Sequence, residues 1–205
     1  MNHVRIVVFD CDGVMFDTAK ANMAYYNHLL QQFGRPAMTQ SQFAYTHMHT
    51  VDEALGFLFN DAVVLEQVQA YRTRMNYVPF LKYMVIEPDL RPLLNRLRPR
   101  YRIAIATNRT DTMDRVLKTH DLEKKFDLVV TAFDVVHPKP HPEQLHKILA
   151  HFGLQREQAI YIGDSELDER AAGAAGVAFV AYANRALRAD FHIKRLKELE
   201  DILQV

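Results

Sequence analysis

The sequence predicts an α/β fold: a doubly wound, mostly parallel sheet, interrupted after its first strand by an all-helical insert. Three observations predict it. Val4 to Phe9 is a β-branched and aromatic run with no solvated face, as expected of a strand buried on both sides. The stretch that follows, as far as Ile86, carries apolar residues at helical spacing only. From about Pro88 onward, short apolar runs alternate with amphipathic segments, the pattern that parallel strands joined by helical crossovers require.

Each element has its own signal. Ala19 to Phe33 places Met23, Tyr26, Leu29, Leu30 and Phe33 on one helical face, and Gly34 and Pro36 end it. Thr39 with Gln42, and Thr50 with Glu53, have capping-box spacing and start two short helices. A longer helix is expected from about Asp61 to Tyr77, closed by Pro79. Asp89 to Leu97 reads as an amphipathic helix and Arg102 to Thr107 as the second strand, with Thr110 a candidate cap for a helix running to about His120. Leu128 to Thr131 and Ala159 to Ile162 are the third and fourth strands. Between them, Pro142 suits the first turn of a helix reaching Phe152. A helix to Ala175 stops at Gly176, Val177 to Ala181 forms a fifth strand, and a terminal helix is expected from about Ile193 to Leu203. The expected domains are residues 1–16 with 87–205, and residues 17–86.

Composition narrows the function classes. The 205 residues carry 25 Lys and Arg against 25 Asp and Glu, so the formal net charge is zero and nothing in the balance favours nucleic acid or an anionic membrane. A single Cys leaves no internal disulfide and suits a reducing compartment. The first apolar run stops at Asp10, short of a signal peptide, and no later run approaches a membrane span. The expected location is the cytoplasm.

Polar residues gather where strands end. Asp10 and Asp12 close the first strand and Gly13 turns the chain away. Residues two apart in an extended segment face the same way, so both carboxylates can address one small ligand while Cys11 faces elsewhere. Holding them together calls for Mg²⁺ or a shared proton. Thr107 and Asn108 end the second strand, Lys139 stands in Pro138-Lys139-Pro140, and Gly163-Asp164-Ser165-Glu166-Leu167-Asp168 follows the fourth strand.

This series resembles motifs I to IV of the haloacid dehalogenase superfamily, most of whose members transfer phosphoryl groups through an aspartyl phosphate. The resemblance covers nearly the whole chain. It implies a Rossmann-like core, with residues 17–86 as the helical cap of the phosphoglycolate phosphatase and β-phosphoglucomutase branch. It further implies that Asp10 is the nucleophile and Asp12 the acid and base, and that Thr107 and Lys139 donate to the phosphoryl oxygens. Mg²⁺ would be held by Asp10, Asp164 and the backbone carbonyl of Asp12, with Asp168 behind them. His47 and His49 lie in an expected cap loop before Thr50, where such enzymes place substrate-reading residues. With Asn108 they complete the expected substrate contacts. Val14 replaces the Thr of many relatives, and Ile86-Glu87-Pro88 lacks their Gly.

The implied activity is Mg²⁺-dependent hydrolysis of a small organic phosphate monoester. A sugar-phosphate mutase and a catalytically silent binding or regulatory module are the alternatives. Asp12 argues against a dehalogenase, which needs no acid there. A Schiff-base enzyme would need a deep cap lysine, and only Lys20 and Lys82 are offered, near the cap's ends.

Overall fold

A computed structural model of the chain describes residues 3–75, 77–110 and 112–205, with backbone alone at positions 47 and 48. In chain order the elements are β1 (Ile6–Phe9), β2 (Phe16–Asp17), α1 (Ala19–Gln32), α2 (Gln40–Met48), α3 (Val51–Leu58), α4 (Ala62–Arg74), α5 (Val78–Leu81) and β3 (Val85–Ile86). They continue with α6 (Leu90–Leu97), β4 (Arg102–Ala106), α7 (Met113–Thr119), β5 (Leu128–Val130), α8 (Glu143–Phe152), β6 (Ala159–Gly163), α9 (Glu166–Ala175), β7 (Ala178–Tyr182), β8 (Phe191–Ile193) and α10 (Leu199–Leu203). The chain forms two compact units, Met1–Asp17 with Ile86–Val205, and Thr18–Val85.

The first unit is built on a six-stranded sheet in the order β5-β4-β1-β6-β7-β8, with every neighbouring pair parallel. Ile6 lies opposite both Arg102 and Ala159, so β1 is central. Strands wind away from it in opposite directions, which makes its C-terminal end the switch point where such sheets bind ligands. Side chains alternate as the pleat demands. Ile6, Val8, Ala104, Ala106 and Tyr161 face one layer with Leu145, Ile148, Ala171 and Ala172 of α8 and α9. Against β4, α6 buries Leu90, Leu93, Leu94 and Leu97 completely, each worth about 2 kcal/mol.

The second unit is helical, with its own core of Tyr25, Tyr26, Leu29, Leu55, Leu58, Phe59 and Val68. Both capping boxes form. Thr39 accepts from Gln42 N and Thr50 from Glu53 N, and each Gln or Glu side chain returns to the cap backbone. Asp61 accepts from Val63 N and Val64 N and so begins α4. Among the described residues no helix is long and apolar enough to cross a membrane.

Several sequence expectations are corrected. Thr112 rather than Thr110 precedes α7. The long fourth helix stops at Arg74, short of Tyr77. Positions 47 and 48 end α2 and His49 is its C-cap, so the expected histidine loop is the last turn of a helix. The expected terminal helix begins too early, because Phe191–Ile193 is a sixth strand on β7, a 3-10 turn covers Leu196–Glu198 and the α-helix is Leu199–Leu203. A three-residue edge strand is too short for its alternation to stand out in sequence.

The last residue of β6 is a glycine for a steric reason. A Cβ on Gly163 would lie 2.3 Å from Asp168 Cβ. Gly163→Ala should therefore cost about 1–3 kcal/mol through overpacking, read as a lower urea midpoint. A midpoint equal to wild type would contradict that close approach.

Candidate active site

The site is assembled at the C-terminal ends of β1, β4 and β6. Asp10 N donates to Ile162 O at 2.9 Å, which continues the ladder one residue past β1 and fixes the Asp10 backbone. A tight turn follows: Met15 N and Phe16 N both donate to Cys11 O, at 3.0 and 3.1 Å. Gly13 adopts φ +82°, and a Cβ there would meet Asp164 Oδ2 at 2.0 Å. Glycine at this position both permits the turn and leaves room for the Asp164 carboxylate. Cys11 is fully buried, and burial pushes its thiol well above the ordinary range, so it is inert.

Lys139 reaches this point on a segment whose backbone is held at both polar groups. Lys139 N donates to Asn108 Oδ1 at 3.1 Å, and Asn108 Nδ2 donates to Lys139 O at 2.9 Å. The side chain is 4% exposed. An ammonium carries three hydrogens, and each finds an acceptor: Asp10 Oδ1 at 2.7 Å, Asp168 Oδ1 at 2.6 Å and Tyr161 Oη at 2.9 Å. Tyr161 in turn donates to Asp168 Oδ1 at 2.5 Å. Asp168 Oδ2 accepts from Ser165 Oγ at 2.6 Å, and Ser165 Oγ accepts from Asp168 N, so one side chain closes the capping box of α9 and anchors Lys139.

The charges are unevenly shared. Burial opposes the Asp168 carboxylate, yet Lys139 and the hydrogen bonds from Ser165 and Tyr161 hold it below the usual carboxylate range. Burial also works against the Lys139 ammonium, but Asp10 and Asp168 more than reverse this and hold it above its ordinary range. Burial pushes the Asp10 carboxyl up to about 7, against the pull of Lys139 and with repulsion from Asp168 and Asp12 added. Asp164 is pushed up to about 8, by burial first and then by Asp10 and Asp168. Lys139 and Asp168 thus form the ion pair, and Asp10 and Asp164 remain without a full counter-charge.

That remainder fits a hard divalent cation. Oxygens of Asp10, Asp164 and Asp168 lie within 4.8 Å of one another. Asp168 is engaged with Lys139 and Ser165, while the Asp164 carboxylate accepts no hydrogen bond among the described residues. An all-oxygen donor set, with Asp10 buried and Asp164 half-buried and neither fully compensated, suits Mg²⁺. The Asp12 side chain stands outside this group.

The remaining expected residues occupy varied positions. Arg109 Nη2 donates to Asp12 Oδ1 at 2.6 Å, with the arginine side chain 8% exposed and the aspartate 34%. Thr107 is buried. Its Oγ1 accepts from Arg109 N at 3.2 Å and keeps its own proton, while Gln144 Nε2 holds its carbonyl at 2.7 Å. Asn108, expected to face substrate, uses both ends of its amide on Lys139. His49 is exposed, its ring 3.8 Å from that of Tyr45 and its Nδ1 2.7 Å from Tyr45 O. The His47 side chain lies outside the described residues. Sequence reasoning missed Arg109 and Tyr161. A phenol in an otherwise aliphatic buried strand needs a polar partner, and that was the available signal for Tyr161.

Comparison with known proteins follows the same lines. Residues 7–182 match the family profile described as haloacid dehalogenase-like hydrolase. The chain belongs to that family. It is 28% identical over 211 residues to the pyrophosphatase PpaX of Bacillus pumilus, covering 96% of this chain and 94% of the relative. A haloacid dehalogenase-superfamily hydrolase of subfamily IA, variant 1, from Geobacter sulfurreducens is 36% identical with a TM-score of 0.84, over 98% of this chain and 97% of that one. The β-phosphoglucomutase of Clostridium difficile shares the fold at 20% identity and a TM-score of 0.80, over 98% and 96% of the two chains.

A cation entering beside Asp10 and Asp164 must displace their protons, since both titrate at or above neutrality without it. Mg²⁺ binding should therefore release protons at pH 7 and tighten as pH rises from about 6 to 8. Calorimetry in two buffers of different ionisation enthalpy measures this. Identical heats in both would refute the assignment of these two carboxylates.

Proposed function

We propose that this chain is a Mg²⁺-dependent phosphatase that hydrolyses a small organic phosphate through an aspartyl phosphate on Asp10. The observation that carries this reading is the Lys139 ammonium, fixed by three acceptors beside an Asp10 whose Oδ2 accepts no hydrogen bond among the described residues. Support also comes from the family, whose four motifs Asp10, Asp12, Thr107, Lys139 and Asp164 resemble, and from the pyrophosphatase relative, which acts on a phosphoanhydride by its name.

The chemistry follows from the placement of side chains. Asp10 attacks phosphorus and displaces the leaving oxygen. Asp12 protonates that oxygen, then takes a proton from the water that opens the acyl phosphate. Arg109 orients Asp12, and its ion pair must yield the oxygen that carries the proton. The Thr107 hydroxyl can donate to the equatorial oxygens, where a metaphosphate-like transition state needs fixed donors, while Lys139, whose three hydrogens are engaged, offsets their charge through its own. Mg²⁺, held by Asp10, Asp164 and the Asp12 carbonyl, supplies further charge neutralisation there when bound. Asn108 acts indirectly, by fixing the backbone that carries Lys139. The helical unit is assigned substrate selection, with His47 and His49 as its readers.

Two aspartate substitutions test the mechanism with p-nitrophenyl phosphate, whose leaving group needs little protonation. Asp10→Asn should lose turnover by at least about a thousandfold and form no adduct, because an amide cannot attack phosphorus. Asp12→Asn should still be phosphorylated slowly and then stall, so a phosphate adduct accumulates and is seen by intact-protein mass spectrometry after a rapid quench. An adduct on the Asp10 variant, or normal turnover of the Asp12 variant, would overturn these roles. Separately, His47→Ala and His49→Ala should raise KM for the natural phosphate more than for p-nitrophenyl phosphate. Equal effects on both would remove the histidines from substrate selection.

A further inference from the structure

Thr107 is held from three sides. Its N donates to Val130 O of β5 at 3.0 Å, its Oγ1 accepts from Arg109 N at 3.2 Å, and its carbonyl accepts from Gln144 Nε2 at 2.7 Å. Among the described residues its hydroxyl hydrogen is left uncommitted.

Gln144 makes the carbonyl bond from the first turn of α8, the helix that follows the Lys139 segment, and its side chain is 0% exposed. Elsewhere α8 turns Leu145, Ile148 and Leu149 into the apolar layer against the sheet. An amide is costly in that setting. Nε2 has its acceptor, but Oε1 is buried and accepts no hydrogen bond among the described residues. A buried acceptor in that condition costs free energy, so an apolar side chain would suit the packing better. The bond to Thr107 O is what the amide offers and an apolar side chain cannot.

Amides also tie the two donor segments to each other. Asn108, next to Thr107, grips the Lys139 backbone at N and O, while Gln144, beyond Lys139, grips the Thr107 backbone. A shift of either segment breaks bonds at both. The placement of the Thr107 hydroxyl relative to the Lys139 ammonium is therefore set by backbone before any phosphoryl group arrives, which is the preorganisation that electrostatic stabilisation of a transition state requires.

We propose that Gln144 is a positioning residue for phosphoryl transfer, whose amide fixes the end of β4 so that the Thr107 hydroxyl meets the equatorial oxygens in the transition state. This role rests on the phosphatase reading above, and Gln144 itself touches no reacting atom.

Three variants test it with p-nitrophenyl phosphate and Mg²⁺. Gln144→Met keeps the unbranched shape and removes the donor. It should lower kcat by about tenfold or more and change KM by less than about twofold, because a displaced Thr107 weakens the transition state more than the bound substrate. In a Thr107→Val background the same substitution should lower kcat no further, since Gln144 acts through that hydroxyl. Gln144→Glu can still donate to Thr107 O while its carboxyl is protonated, so its kcat relative to wild type should fall as pH rises from about 5 to 9. Circular dichroism at each pH identifies the conditions under which the proteins compared are folded. Wild-type kcat in Gln144→Met, a full additional loss in the Thr107→Val background, or a Gln144→Glu ratio that stays flat with pH would overturn the role of Gln144. If Gln144→Met does not fold, the pH dependence of Gln144→Glu decides. Wild-type protein without Mg²⁺-dependent turnover would overturn the phosphatase reading and this role with it, whereas the other results touch the role alone.

Discussion

Three hydrogens on one buried ammonium organise the catalytic half of this molecule. Lys139 is drawn to β1 by Asp10, to β6 by Tyr161 and to α9 by Asp168. Each acceptor stands on a different element, so the charge ties a strand end, a strand interior and a helix start into one network. Removing a partner from a buried pair of this kind costs about 3–5 kcal/mol, since the charge left behind cannot reach water. The Asn108 amide completes the arrangement by gripping the Lys139 backbone on both of its polar groups, which leaves the side chain little freedom to be elsewhere.

The same network creates an imbalance that the fold tolerates. One ammonium cannot serve three neighbouring carboxylates, and the geometry gives it chiefly to Asp168. Asp10, buried, and Asp164, half-buried, are then acids held near or above neutrality, an arrangement that lowers stability when both are charged. Backbone geometry brings them together regardless. The ladder bond from Asp10 N to Ile162 O sets one acid, and Gly13 clears space for the other. Proteins retain such unfavourable pairs where a ligand resolves them, and the cation and phosphoryl group proposed above would do so here.

Much of this is legible in the sequence because the chemistry sits at strand ends. A run such as Ile6–Phe9 followed by Asp10, Asp12 and Gly13 announces a buried strand and its polar terminus together, and the same holds for Ala159–Gly163 followed by Asp164. The capping boxes at Thr39 and Thr50 are equally direct, since their partners are three residues apart. Contacts between residues distant in sequence leave no such trace. Arg109 is 97 residues from the Asp12 it pairs with, and Tyr161 is 22 from Lys139. Nothing local distinguishes Arg109 from a solvated arginine in a turn. The α2 C-terminus around position 47 was hidden for a related reason: Thr50 signals where α3 starts, but no residue before it signals where α2 stops.

Asp168 belongs at once to helix initiation, to core packing against Gly163 and to the charge network. The three tasks make different demands: the cap wants a short acceptor, the glycine contact wants a small volume, and Lys139 wants a full negative charge. Few side chains other than aspartate meet all three. A lineage drifting away from this chemistry could not simply let that position vary, as it could an exposed catalytic residue, because the helix start and the strand end would have to be rebuilt in the same step. Architectural necessity thus shelters the position from neutral drift, and descendants that no longer turn over any phosphate would still be expected to carry the aspartate as a relic.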